Sequence, residues 1–179
     1  LFFAPLAAGA LALIVGWFCV RLTGVYLAML TLAFAQVVWS VVFQWGDITG
    51  GDDGILGVWP SDWASERMAF YYLTVTMSVA GIVLLRHVLF SPFGYAMRAC
   101  RDSVLRSQSI GIHVQRQLWL AFAFSGAMAG LAGGLFVYSK GSVFPDEMSI
   151  PRSFDALIMV LLGGVKTLLG PVVGAASFT

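Results

Sequence analysis

The stretch Leu118–Tyr138, LWLAFAFSGAMAGLAGGLFVY, runs for 21 residues without a charge. An α-helix rises 1.5 Å per residue, so about 20 apolar residues cross about 30 Å of hydrocarbon. A barrel strand would need only about 9–11 residues. In lipid a helix satisfies its own backbone groups without closing on itself. The stretch therefore reads as a membrane-spanning helix. The same reading extends outward to Leu1–Val20, Leu22–Trp45 and Met68–Leu85, which are also uncharged, and to Ala156–Thr179, which carries Lys166 alone. The expected fold is all-α, a polytopic transmembrane helical bundle of about five membrane segments. Composition agrees: 59% of residues are hydrophobic and 11% charged, with a mean hydropathy of +0.88, against about 25% charged in soluble domains. That excludes a soluble enzyme, a nucleic-acid module and a disordered chain. Residue 1 is Leu with no basic stretch before the first apolar run, a poor signal peptide. The whole of 1–179 reads as a partial transmembrane domain, a piece of a longer membrane protein.

Three polar connections separate the segments. Residues 86–117 hold Arg86, Arg98, Arg101, Arg106 and Arg116 against Asp102. Residues 46–67 hold Asp47, Asp52, Asp53, Asp62 and Glu66 against Arg67. Cytoplasmic connections carry the excess of Lys and Arg, so 86–117 is expected inside, and 46–67 and 139–155 outside. Arg21 then falls inside as well. Cys19 and Cys100 lie near the reducing face and are expected as free thiols. No Cys/His cluster has metal-ligand spacing.

Within the inner connection, Ser91-Pro92 suits a helix start, and Gly111 suits a stop. Between them Ala96, Met97, Cys100 and Val104 fall on one helical face, while Arg98, Asp102 and Arg106 follow one another on another face. Such an amphipathic helix can lie on lipid, pack on its own bundle or dock into a partner. Its arginines can equally do no more than set topology.

Here the sequence resembles a known family. Ser91-Pro92-Phe93-Gly94-Tyr95-Ala96-Met97-Arg98-Ala99-Cys100-Arg101-Asp102, followed by Arg106 and Ile110-Gly111-Ile112, is similar to the inner loop of bacterial branched-chain amino-acid ABC importer permeases. Gly24–Ala35, Thr49–Ile55 and Gly163–Pro171 resemble further motifs of that family, in the same order. Tyr95 stands where the family usually has Arg, and Lys166 where it usually has Gly. The resemblance implies a coupling helix seated in an ATPase subunit, carried here by Phe93, Gly94, Arg98, Arg101, Asp102, Arg106 and Gly111. It implies a prokaryotic inner-membrane permease that takes branched-chain amino acids or related small polar solutes inward. The implied partners are a second permease subunit, two cytoplasmic ATPase subunits that hold ATP and Mg, and an external solute-binding protein. No cofactor is expected in this chain.

Several residues within or beside the bilayer could serve the path. Gln36, Ser40 and Gln44 recur every four residues. Amides facing lipid are costly, so they should meet protein or water, as interhelical hydrogen bonds or as solute contacts. Thr49, Gly50 and Gly51 open a glycine-rich acidic turn. It is either a plain tight turn or, as the resemblance implies, a special backbone turn near the outer mouth. It lacks the ligand spacing of a calcium-binding hand. Lys166 costs about 2.5–3.5 kcal/mol at a bilayer centre. With Gly163 and Gly164 before it and Thr167, Gly170 and Pro171 after it, the last segment reads as a broken helix bordering the path, or as one whose lysine snorkels. Gly126, Gly130 and Gly134 form a ridge at a spacing of four, repeated at Gly170 and Gly174, that would let backbones approach closely. Trp45, Trp59 and Trp63 suit an outer interfacial belt.

Gly164-Val165-Lys166-Thr167 lacks the glycines of a phosphate-binding loop, so ATP hydrolysis is expected on another chain. No catalytic triad, zinc-hydrolase motif or paired membrane carboxylates appear. A secondary transporter or channel working without an ATPase remains the alternative, and a membrane enzyme is disfavoured.

Overall fold

The computed structural model describes residues 3–22, 24–46, 55–57, 67–165, 167 and 169–178. Among them the chain is helical almost throughout. In order come α1 (Phe3–Cys19), α2 (Val25–Gln44), β1 (Ile55–Leu56), α3 (Arg67–Leu89), α4 (Pro92–Asp102), α5 (Val104–Ser109), α6 (Val114–Lys140), β2 (Ser142–Val143), a 3-10 turn (Pro145–Met148), α7 (Ile150–Gly163) and α8 (Gly170–Phe178). Three helices, Val25–Gln44, Met68–Leu89 and Val114–Lys140, are long and apolar enough to cross a membrane, while Phe3–Cys19 is a shorter apolar helix. The chain is thus a polytopic helical membrane protein. The expected last segment is two helices, α7 and α8, and α7 starts at Ile150 rather than at Ala156. Pro151 in its first turn explains the early start, since a first-turn proline lacks only an N–H that has no helical partner there.

Contacts divide the chain into two units, residues 1–36 with 57–141 and residues 37–56 with 142–179. The first unit is organised by α1 lying antiparallel on α6. The ridge Gly134, Gly130, Gly126 faces Ala4, Ala8 and Ala12 in register. A Cβ built on Gly126 would fall on Ala12 Cβ, one on Gly130 on Ala8 Cβ, and one on Gly134 would come 3.3 Å from Ala4 Cβ. Further along, a Cβ on Gly16 would stand 2.8 Å from the Phe122 ring. With lipid tails as apolar as leucine, such close approach substitutes for a hydrophobic drive. The Trp119 indole N–H donates to the Leu13 carbonyl at 2.8 Å, a polar tie across the same seam. The packing leaves Ala12, Gly16 and Cys19 of α1 buried. Most large apolar side chains face outward instead, Phe3 at 86% and Leu6 at 71% exposure among them, as a lipid-facing surface requires.

In the second unit α7 and α8 fold back on each other. A Cβ on Gly174 would land on the Met159 carbonyl, one on Gly163 on the Gly170 carbonyl, and one on Gly170 on the Gly164 carbonyl. The turn between them holds Gly164 at φ +98°, a region open to glycine and strained for other residues. The Thr167 hydroxyl donates to the Gly164 carbonyl at 3.3 Å. The unit also contains a short antiparallel ladder, Ile55 opposite Val143 and Leu56 opposite Ser142, for which the sequence carries no alternating pattern.

Candidate coupling loop and membrane sites

The loop from α3 to α6 is built around two helix starts. Ser91 precedes α4 in an extended conformation with Pro92 in the first turn. Its hydroxyl does not cap α4; it donates back to the Val88 carbonyl at 2.6 Å and closes the corner with α3. Gly94 is buried in that corner, where a Cβ would collide with the Leu89 carbonyl, so the family-like Phe-Gly pair has a steric reason. The expected single helix over Tyr95–Ile110 is two helices. Ser103 adopts an extended conformation, φ −160° and ψ 109°, ending α4 and capping α5, and its hydroxyl accepts from the Arg106 N–H at 3.4 Å. Serine competes with the helical backbone for its own hydrogen bonds, and here that competition makes an elbow.

The elbow is fixed from inside. Ser107 is 1% exposed and its hydroxyl donates to the Ser103 carbonyl at 2.9 Å. Its own carbonyl accepts from the Ile112 N–H at 3.0 Å. Gly111 sits at φ +86° and turns the chain into α6. Cys100 is buried, and both cysteines are free.

The break changes which residues face out. Val104, expected on one helical face with Ala96, Met97 and Cys100, is exposed, because the elbow rotates it away from them. Arg106 belongs to α5, so Arg98, Asp102 and Arg106 are not one helical row. Asp102 pairs with its neighbour Arg101 at 3.2 Å, with both side chains largely exposed, a pair of small energetic weight. Arg98 instead lies over the rings of Phe90 and Tyr95, 5.4 and 5.5 Å from their centroids. Tyr95, the departure from the family pattern, thus orients an arginine. The outer surface combines Arg98, Arg101 and Arg106 with Leu105 at 79% and Ile110 at 71% exposure. Leu105 was not a sequence candidate, because periodicity ran through the unseen break at Ser103.

In the membrane segments, the Gln44 amide donates to the Ser40 hydroxyl at 3.2 Å, while Gln36 is exposed. No residue of α2 is buried. Gly163 is brought together with Gly170 and Gly174, while Gly164 and Thr167 form the turn. Thr49, Gly50, Gly51 and Lys166 lie outside the described residues, as do Trp59 and Trp63. Among the described residues no cluster of three His, Cys, Asp or Glu could hold a metal ion.

Bilayer-length helices, close glycine seams and an arginine-bearing elbow between two of those helices define a polytopic helical membrane protein. The profile of the family "Branched-chain amino acid transport system / permease component" matches residues 1–179, and the chain belongs to that family. It is 30% identical over 200 aligned positions to the high-affinity branched-chain amino acid transport system permease protein LivM of Escherichia coli K12, covering 96% of this chain and 47% of that protein. It is 31% identical to the probable branched-chain amino acid transport permease protein LivH of Methanocaldococcus jannaschii, over 56% of this chain and 30% of that protein. It is 28% identical to the autoinducer 2 import system permease protein LsrC of Klebsiella pneumoniae, over 72% of this chain and 35% of that protein. The chain spans about half the length, or less, of the curated relatives it matches. No solved structure gives a significant match.

Proposed function

We propose that the chain is part of the membrane-spanning permease subunit of a prokaryotic inner-membrane ABC importer that carries branched-chain amino acids inward. The observation that carries this reading is the elbow of α4 and α5. Ser107, Cys100 and Gly94 are buried inside it, and three arginines with Leu105 and Ile110 project from it. Apolar side chains that protrude among cations, on a loop between two membrane helices, suit a protein groove with an acidic rim better than water. The occupant is a cytoplasmic ATPase subunit, one of a pair, which binds ATP and Mg and supplies the chemistry. Closure of that pair moves the elbow as a rigid lever and switches access to the path between sides. A second permease subunit and an external solute-binding protein complete the assembly. The arginine-rich connection 86–117 faces the cytoplasm, and 46–67 and 139–155 face outside.

Solute passes near the α7–α8 hairpin, where backbone groups at Gly164 and Thr167 interrupt the helix. Broken helices offer such groups to charged solutes at membrane depth. The names of the LivM and LivH relatives support branched-chain amino acids, while the LsrC relative is named for another solute.

Copurification tests the reading. Full-length protein should bring down an ATPase subunit, and Arg98→Glu/Arg101→Glu/Arg106→Glu together with Leu105→Asp should release it while the membrane fraction stays folded. Leucine uptake into vesicles should stop when the ATPase is omitted. Uptake that continues without it sinks the importer reading in favour of a self-sufficient transporter or channel. Competition by isoleucine and valine, set against other amino acids and sugars, identifies the solute class.

A further inference from the structure

We propose that the cleft where α1 ends and α6 begins binds the headgroup of an anionic phospholipid. The cleft is a cavity of about 260 Å³ lined by Trp17, Val20 and Arg21 from the end of α1 and by Gln115, Arg116 and Trp119 from the start of α6. Two guanidinium-bearing residues from distant parts of the chain meet there, and the lining includes no carboxylate. Neither Arg21 nor Arg116 makes an ion pair among the described residues. A larger opening of about 560 Å³ shares Gln115 and Arg116 and extends the space along the turn into α6.

The aromatic walls are held in place. The Arg21 guanidinium lies 3.8 Å from the centroid of the Trp17 ring, and Trp119 is tied to the Leu13 carbonyl. Guanidinium groups take phosphate oxygens in pairs, and basic pockets between membrane helices bind anionic headgroups. A soluble anion would use the arginines alone. The two fixed indoles, Trp17 itself 48% exposed, give the cleft an apolar wall that only an acylated ligand uses. Tryptophan also concentrates at headgroup depth. Arg21 and Arg116 therefore bind the phosphodiester, and the acyl chains run along the outer faces of α1 and α6. The inference needs these helices to reach the bilayer interface and does not depend on the ATPase docking above.

Full-length protein in nanodiscs containing brominated phosphatidylglycerol or brominated phosphatidylcholine tests it through tryptophan quenching. The anionic lipid should quench at an occupancy at least about fivefold higher, and Trp17→Phe/Trp119→Phe should remove the excess. Each arginine near an anionic lipid surface is worth about fivefold in affinity, so Arg21→Gln/Arg116→Gln should abolish the preference. Arg21→Lys/Arg116→Lys keeps the charge and should retain most of the preference, which separates lost recognition from lost folding. Arg98→Gln/Arg101→Gln, which disables the coupling loop, should leave the preference intact. Equal quenching by the two lipids overturns the proposal, as does an excess that survives Arg21→Gln/Arg116→Gln. Loss of the excess in millimolar inorganic phosphate identifies a soluble-anion site and overturns it too.

Discussion

The α1–α6 seam and the α7–α8 hairpin use the same sequence device, glycine every fourth residue, with different results. In the seam Gly126 and Gly134 receive side chains, the methyl groups of Ala12 and Ala4, while Gly130 meets both the Ala8 methyl and the Ala4 carbonyl. In the hairpin they receive backbone, since Gly174 abuts the Met159 carbonyl and Gly163 the Gly170 carbonyl. A methyl group can be trimmed or shifted, whereas a carbonyl within a helix cannot move without breaking the helix. The hairpin should therefore tolerate far less change than the seam at Gly126, although both motifs look alike on paper.

The largest effect is expected from Gly174→Ala, whose added carbon has only backbone to displace. It should cost about 3 kcal/mol, the upper end for overpacking, read as loss of the cooperative melt of detergent-solubilised full-length protein. No single trimmed neighbour should restore it, and rescue by a smaller residue at Met159 would erase the distinction between the two regions. Next comes Gly164→Ala, at about 2 kcal/mol for a non-glycine residue held at a strained positive φ. The loss should appear in the same melt and in faster hydrogen exchange around the turn at Thr167.

Gly126→Ala should cost about 1–2 kcal/mol. Ala12→Gly in the same chain should recover much of that, because the two carbons compete for one space. A double-mutant cycle reads the coupling, expected above about 0.5 kcal/mol for residues in contact, and an additive cycle would show that the seam is not the interface described. The smallest effect is Trp119→Phe, which removes the hydrogen bond to Leu13. Such bonds average about 0.6 kcal/mol in a membrane bundle, so the melt should move slightly, and a loss as large as that of Gly174→Ala would mean the indole bears more of the seam than the glycine ridge.

Leu105 and Tyr95 show where sequence reading stops at the candidate site. The helix start at Pro92 and the stop at Gly111 were legible because proline and glycine act locally. The elbow was not, because a serine in an amphipathic run has no fixed meaning until its hydroxyl and carbonyl find partners. Ser107, 1% exposed, is the partner that decides it. With the elbow placed, Val104 leaves the face it would share with Ala96, Met97 and Cys100, and Leu105 and Ile110 join the arginines.

By itself the sequence determined the class of the molecule, its helical membrane segments and the charge asymmetry of its connections. Those depend on the length and polarity of continuous runs, and each run meets lipid or water independently of the others. The tertiary structure alone decided that Gly126, Gly130 and Gly134 face Ala12, Ala8 and Ala4, that Gly174 abuts a carbonyl, and that Arg21 and Arg116 share one cleft. Those are meetings between segments far apart in the chain, and no local rule of spacing specifies the partner.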